Sequence, residues 1–154
     1  MTEKIYISSE TAETIRRKKS QYCRFADGLE WDRFNTIMLP TLTFEAIDPD
    51  GTVLVQNGVP YRWESREAWV AHFSEKFKVL QTMHLVDPGD LEQVAEDEVK
   101  AVFGVIWHAG TRGTEAGLHS TGGGHYYETW KKVDGDWYMA SCSMKRLYSK
   151  VQGV

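Results

Sequence analysis

The sequence predicts an α+β fold, in which three N-terminal helices pack against a curved mixed or antiparallel sheet that forms a cone-shaped barrel around an interior pocket. Apolar residues recur at helical spacing before about residue 80, and the period shortens toward two after it. Asp134-Gly135, set between two strand-like runs, is a strong hairpin signal. A chain of 154 residues, 42% of them hydrophobic, suits a single domain over residues 1–154. A curled sheet cannot leave its apolar face bare, so the helices are expected to cover it.

The first helix is predicted over about Glu10 to Ala26, where Ala12, Ile15, Tyr22, Phe25 and Ala26 share a face and Glu10 and Glu13 sit at its positive end. Asp27-Gly28 stops it, with glycine as the cap. A second short helix fits Trp31, Phe34, Ile37 and Met38, ended by Pro40. Leu42 to Ile47 reads as a strand, followed by the turn Asp48-Pro49-Asp50-Gly51. Ser65 is an N-cap for a third helix carrying Trp69, Val70, Phe73 and Phe77.

Short strands are expected at His84 to Val86 and Leu91 to Val94, and a central strand at Ala101 to His108. The glycines from Gly110 to Gly124 read as a long loop, either a pocket rim or exposed slack. Strands over about Gly124 to Lys132 and Trp137 to Arg146 flank the hairpin turn. If His108 points inward, period two places Ile106, Gly104 and Val102 on the same inner wall. Gly124, Tyr126 and Glu128 share a face of the next strand.

Composition limits the function classes. The net charge is −4 and no cluster of five Lys and Arg occurs, which argues against a nucleic-acid surface. No apolar run is long enough to span a bilayer, and Cys23 and Cys142 read as free thiols, so a cytoplasmic protein is the simplest expectation. His119 and His125 have no metal-ligand spacing, and the glycine-rich segment lacks a phosphate-binding pattern, so neither cofactor nor metal is expected.

Two residues stand out for chemistry: Asp27 at a helix end and His84 between Met83 and Leu85. Alone, each has a plain structural reading, a helix cap and a satisfied core histidine. Together, a carboxylate beside an imidazole would fix its tautomer and strengthen it as a base. Tyr126, Tyr22 or His108 could then donate a hydrogen bond where oxyanion charge develops.

Ala26-Asp27, Trp31-Asp32-Arg33, Pro40-Thr41-Leu42, His84, Glu96-Asp97-Glu98-Val99 and the run Lys131 to Trp137 occur in an order that resembles fungal scytalone dehydratase and the SnoaL-like branch of the NTF2-like superfamily. The resemblance spans about residues 11 to 148. It implies a cone-shaped barrel with a cofactor-free pocket, an aspartate like Asp27 supporting a histidine like His84, and a second histidine, approximated by His108, across the ligand. Two tyrosines that hold a water in the dehydratase are replaced, one by Ala26 and one near Ala46, and two polar wall residues correspond to Gly124 and Tyr126.

The expected activity is a dehydratase using His84, Asp27, His108 and Tyr126, with Tyr22, Ala46, Gly124 and Glu128 contacting a small hydrophobic or polycyclic, polyketide-like metabolite. An isomerase or cyclase using the same proton transfer is the alternative, and a non-catalytic binding domain the second. A homodimer or homotrimer is expected from such relatives.

Overall fold

The first helix, α1 (Ser9–Asp27), begins where the Ser8 hydroxyl accepts the Thr11 amide at 3.1 Å. The structure, a computed structural model, describes residues 3–153. Ala12, Ile15, Lys18, Lys19, Tyr22, Cys23, Phe25 and Ala26 are the buried residues of α1, which is the expected face extended by two lysines and a cysteine. The helix ends with the Gly28 amide donating to the Arg24 carbonyl at 2.9 Å, but the left-handed residue that turns the chain is Leu29, at φ 59°.

The second expected helix is a single 3-10 segment over Trp31–Thr36, with Ile37 as its C-terminal cap. Met38 already belongs to β1 (Met38–Ile47), which carries Pro40 in its irregular first half. Short strands β2 (Val55–Gln56), β3 (Val59–Pro60) and β4 (Arg62–Trp63) precede α2 (Arg66–Lys76), whose first turn is capped by Ser65. This last helix therefore lies after the first strands, and only α1 and the 3-10 segment are N-terminal to the sheet.

The remaining strands are β5 (Leu80–Val86), β6 (Asp90–Ala95), β7 (Glu98–Thr111), β8 (Leu118–Val133) and β9 (Asp136–Gly153). The sheet runs β4-β1-β9-β8-β7-β5, with β6 also pairing β7. The β1–β9 pair is parallel and the others are antiparallel. Asp134 (φ 50°) and Gly135 (φ 82°) make the expected β8–β9 turn, a conformation that glycine accepts without strain.

This order overturns the expected cone-shaped barrel. The sheet is open, neither closed nor curled into a cone, because β4 and β5 are its two ends and no ladder joins them. A barrel needs an unbroken ring of paired strands. Here β4 is only two residues long, and β5 meets α1 through side-chain bonds from Asp27 rather than another strand.

The expected glycine loop is also corrected. Gly122, Gly123 and Gly124 lie within β8, so only residues 112–117 link β7 to β8. These glycines are needed for close approach: a Cβ on Gly122 would overlap the Trp107 indole, and one on Gly124 the Lys145 carbonyl. Between Gly123 and Gly124 the pairing with β9 slips by one residue, Gly123 facing Tyr148 and Gly124 facing Arg146. The extra residue, Leu147, switches the parity of β9 so that Arg146, Ser149 and Val151 all face the interior.

The core lies between the inner face of the sheet and the two α-helices, centred on Phe25, Phe34, Phe103, Trp69 and Trp130. Among the described residues no helix is long and apolar enough to cross a membrane.

Candidate active site

A cavity of about 210 Å³ opens between α1, α2 and the inner face of β1, β5, β7, β8 and β9. Its wall is mostly aromatic and aliphatic, with Trp31, Phe44, Trp69, Phe73, Phe77 and Trp107 prominent. Few polar groups interrupt it, a pattern typical of small-molecule sites.

Asp27 and His84 meet at this cavity. Asp27 Oδ1 lies 2.6 Å from His84 Nδ1, and both side chains are largely shielded, 13% and 15% exposed. The same carboxylate accepts the Thr82 hydroxyl at 2.8 Å and the His84 backbone amide at 2.9 Å. Three bonds to one strand thus set both the position of Asp27 and the rotation of the imidazole. With Nδ1 engaged by the carboxylate, Nε2 is the ring nitrogen left for other partners. Asp27 is also the last residue of α1, where the helix dipole disfavours an anion. Its three partners on β5 offset that cost. Phe77 lies parallel to the His84 ring at 6.2 Å and limits its solvent contact.

Tyr22 and Tyr126 line the same cavity, their rings edge to face at 5.7 Å. Burial pushes both phenols well above the usual tyrosine range, so they remain hydrogen-bond donors at neutral pH. Beneath them is a fully buried charge pair, Lys19 Nζ and Glu128 Oε2 at 2.6 Å. Among the described residues Lys19 Nζ has no hydrogen-bond partner of regular geometry, and instead sits 3.7 Å from the Tyr22 ring centre and 3.4 Å from that of Tyr126. The other Glu128 oxygen accepts the Trp130 indole N–H at 2.9 Å. The pair therefore braces both tyrosines from below. Burial also raises both cysteine thiols, Cys23 to about 11, so neither is poised as a thiolate.

A second polar group in the cavity had no sequence signal. Lys76 Nζ donates to Gln56 Oε1 at 2.7 Å and to the Tyr61 phenol oxygen, and Tyr61 donates to the same Gln56 oxygen at 2.7 Å. Burial, reinforced by Arg146, lowers Lys76 to about 8. Arg146, also in the wall, holds Asp48 at 3.2 Å. Residues 56, 61, 76 and 146 come from four separate elements or links, so no local spacing could have grouped them.

Of the expected site residues, Asp27, His84, Tyr22, Ala46 and Tyr126 come together, Asp27 through its bond to His84 and the others in the cavity wall. His108 does not. The inner face of β7 carries Val99, Ala101, Phe103, Val105, Trp107 and Ala109, so His108 and Ile106 point to the outer side. There His108 sits 6.0 Å from His119, away from the cavity. Glu128 is on the inner face as expected, but is consumed by Lys19 and Trp130 in the core. Gly124 contacts the β9 backbone and does not line the cavity.

Comparison with known proteins follows the same outline. The model of the SnoaL-like domain family matches residues 8–143. The chain is 51% identical over 148 residues to the Gibberella zeae protein named "Probable cyclase FGR4", covering 96% of this chain and 99% of that one. Among solved structures, a candidate scytalone dehydratase from Novosphingobium aromaticivorans superposes with a TM-score of 0.74 at 15% identity, covering 92% of this chain and 87% of that one. The hexachlorocyclohexane dehydrochlorinase LinA-type3 from Novosphingobium barchaimii superposes with a TM-score of 0.73 at 13% identity, covering 93% and 90%. At such identities the two structures speak to the fold alone.

Proposed function

This chain belongs to the SnoaL-like family of the NTF2-like superfamily, and on that premise we propose that it is an acid–base enzyme that cyclises or isomerises a secondary-metabolite intermediate. The observation that carries the reading is the Asp27–His84 pair, 2.6 Å apart, at the wall of an apolar cavity. The name of the fungal relative at 51% identity favours ring closure over water loss.

His84 Nε2 removes a proton made acidic by a neighbouring carbonyl, while Asp27 stabilises the imidazolium that forms. Charge developing on the carbonyl oxygen is met by a phenol O–H of Tyr22 or Tyr126, which burial keeps protonated. The resulting enolate closes onto an electrophilic carbon of the same molecule, and the imidazolium returns its proton, so mass is conserved. The apolar aromatic wall suits a hydrophobic or polycyclic substrate. Dehydration fits less well, because Ala26 and Ala46 stand in the wall where the dehydratase resemblance calls for water-holding phenols.

The test is mass spectrometry on isolated secondary-metabolite intermediates that carry an enolisable carbonyl. The expected product has unchanged mass and altered retention, and is absent with His84→Ala. Loss of one water would replace cyclisation by dehydration. Full turnover by a folded His84→Ala variant would remove the acid–base mechanism itself.

A further inference from the structure

We propose that Lys76, flanked by Tyr61 and Arg146, is an anion-binding end of the cavity, and that the substrate carries an ionised acidic oxygen, a carboxylate or enolate, that docks there. The proposal deepens the acid–base reading and rests on this cavity being the substrate site.

The argument starts from charge balance. Lys18 and Lys19, the two lysines buried in the core, each have a carboxylate partner, Asp136 at 2.9 Å and Glu128 at 2.6 Å. Lys76 reaches into the cavity from the last turn of α2, yet among the described residues no carboxylate lies within ion-pairing distance of it. Its partners, Gln56 and Tyr61, are neutral, and they take two of the three ammonium protons. One donor remains. Arg146 adds a second cation at the same end, its side chain 12% exposed, and Asp48 balances only one of the two. An unbalanced positive charge against Leu54, Phe73 and Trp69 is costly unless a ligand supplies the counter-charge.

The neighbouring titratable groups leave that charge standing. From α2 itself, His72 is pushed down by burial and by Lys76, so it is neutral near pH 7. Between β3 and β4, Tyr61 is raised by burial to about 12 and remains a phenol. On β9 and the turn after β1, Arg146 and Asp48 neutralise one another, and across the cavity wall lies the Asp27–His84 pair. Lys76, lowered to about 8, is still mostly protonated at neutral pH and loses its charge well before Tyr61 does. An acidic oxygen anchored here would hold the substrate in one orientation, with its enolisable carbon presented to His84. Such anchoring converts binding energy into positioning.

The experiment is calorimetric titration with 2-naphthoate and with 2-naphthamide, probes of matched shape that differ in charge. The expected wild-type result at pH 7.5 is about tenfold tighter binding of the anion. That preference falls by about tenfold between pH 7.5 and 10, above the ordinary histidine range, as the Lys76 amine loses its proton while naphthoate stays ionised. Lys76→Met reduces the preference by about fivefold or more, with naphthamide affinity unchanged, whereas His84→Gln leaves it intact. Equal wild-type affinity for the two probes, a preference independent of pH, or a folded Lys76→Met protein that keeps the full preference would each overturn the proposal. The wild-type pH series needs no variant to fold. Because it reads binding alone, a failed turnover assay would strike the acid–base reading and leave this one standing.

Discussion

Replacing Lys19 with methionine tests whether the buried charge pair holds the floor of the site. Lys19 and Glu128 are 2.6 Å apart with both side chains fully buried. At an effective dielectric of about 20 their attraction is roughly 6 kcal/mol. Methionine fills similar space but leaves Glu128 with two neutral donors, the Trp130 indole at 2.9 Å and the weak Cys142 thiol at 4.0 Å. The lone carboxyl can escape by taking up a proton, which at pH 7 costs about 3.7 kcal/mol relative to its ordinary ionised state. That route caps the loss, so the expected destabilisation is about 3–4 kcal/mol. For a chain of this length it lowers the melting temperature by roughly 6–16 °C.

Thermal melts followed by circular dichroism at pH 7 and pH 5 provide the assay. In the variant, the folded state binds a proton that the unfolded state does not, so stability rises as pH falls toward the ordinary carboxyl range. The deficit against wild type should therefore shrink at pH 5. Lys19→Met combined with Glu128→Gln removes both charges and keeps an acceptor for Trp130, so it should be more stable than Lys19→Met alone. A single variant melting within about 2 °C of wild type at pH 7 would refute the reasoning, as would a double variant no better than the single.

Asp27→Asn should leave a folded protein but lower turnover by about a thousandfold or more, measured on whichever intermediate is converted, because a neutral amide neither selects the tautomer nor stabilises the imidazolium. Gly122→Ala would force the Trp107 indole out of its place in the cavity wall. A loss of about 1–3 kcal/mol in urea unfolding and a shifted tryptophan emission are expected, and an unchanged protein would contradict the packing described. The lowered Lys76 contributes stability that is present above its unfolded range and lost as pH falls through about 8. The advantage of wild type over Lys76→Met in urea unfolding should therefore grow by about 1–2 kcal/mol from pH 8 to 10, after discounting for partial exposure. Cys23, raised to about 11, loses stability as pH climbs, but it lies away from Lys76 and does so in both proteins.

Local signals were legible wherever one residue or one period decides the conformation. The face of α1, the Ser65 cap and the Asp134-Gly135 turn appear where expected. Asp27 and His84 were legible as a pair only through the family resemblance, since 57 residues separate them. The inner face of β7 was misjudged for a physical reason. Val99, Ala101, Phe103 and Val105 on one side face a nearly equal apolar set, Val102, Gly104 and Ile106, on the other, so alternation carries no direction. Gly122 to Gly124 read as slack because glycine favours loops, whereas here it makes room for Trp107, Tyr148 and the β9 backbone.

The amino-acid sequence by itself determined the α+β class, the order of most elements and the pairing of Asp27 with His84, because caps, turns and periodicity act over a few residues and the family pattern covers the rest. Only the tertiary structure decided that the sheet stays open, that His108 faces away, and that Lys76, Tyr61, Gln56 and Arg146 converge on one cavity. Those outcomes depend on ladder ends, register and a one-residue bulge at Leu147, which arise between strands distant in sequence.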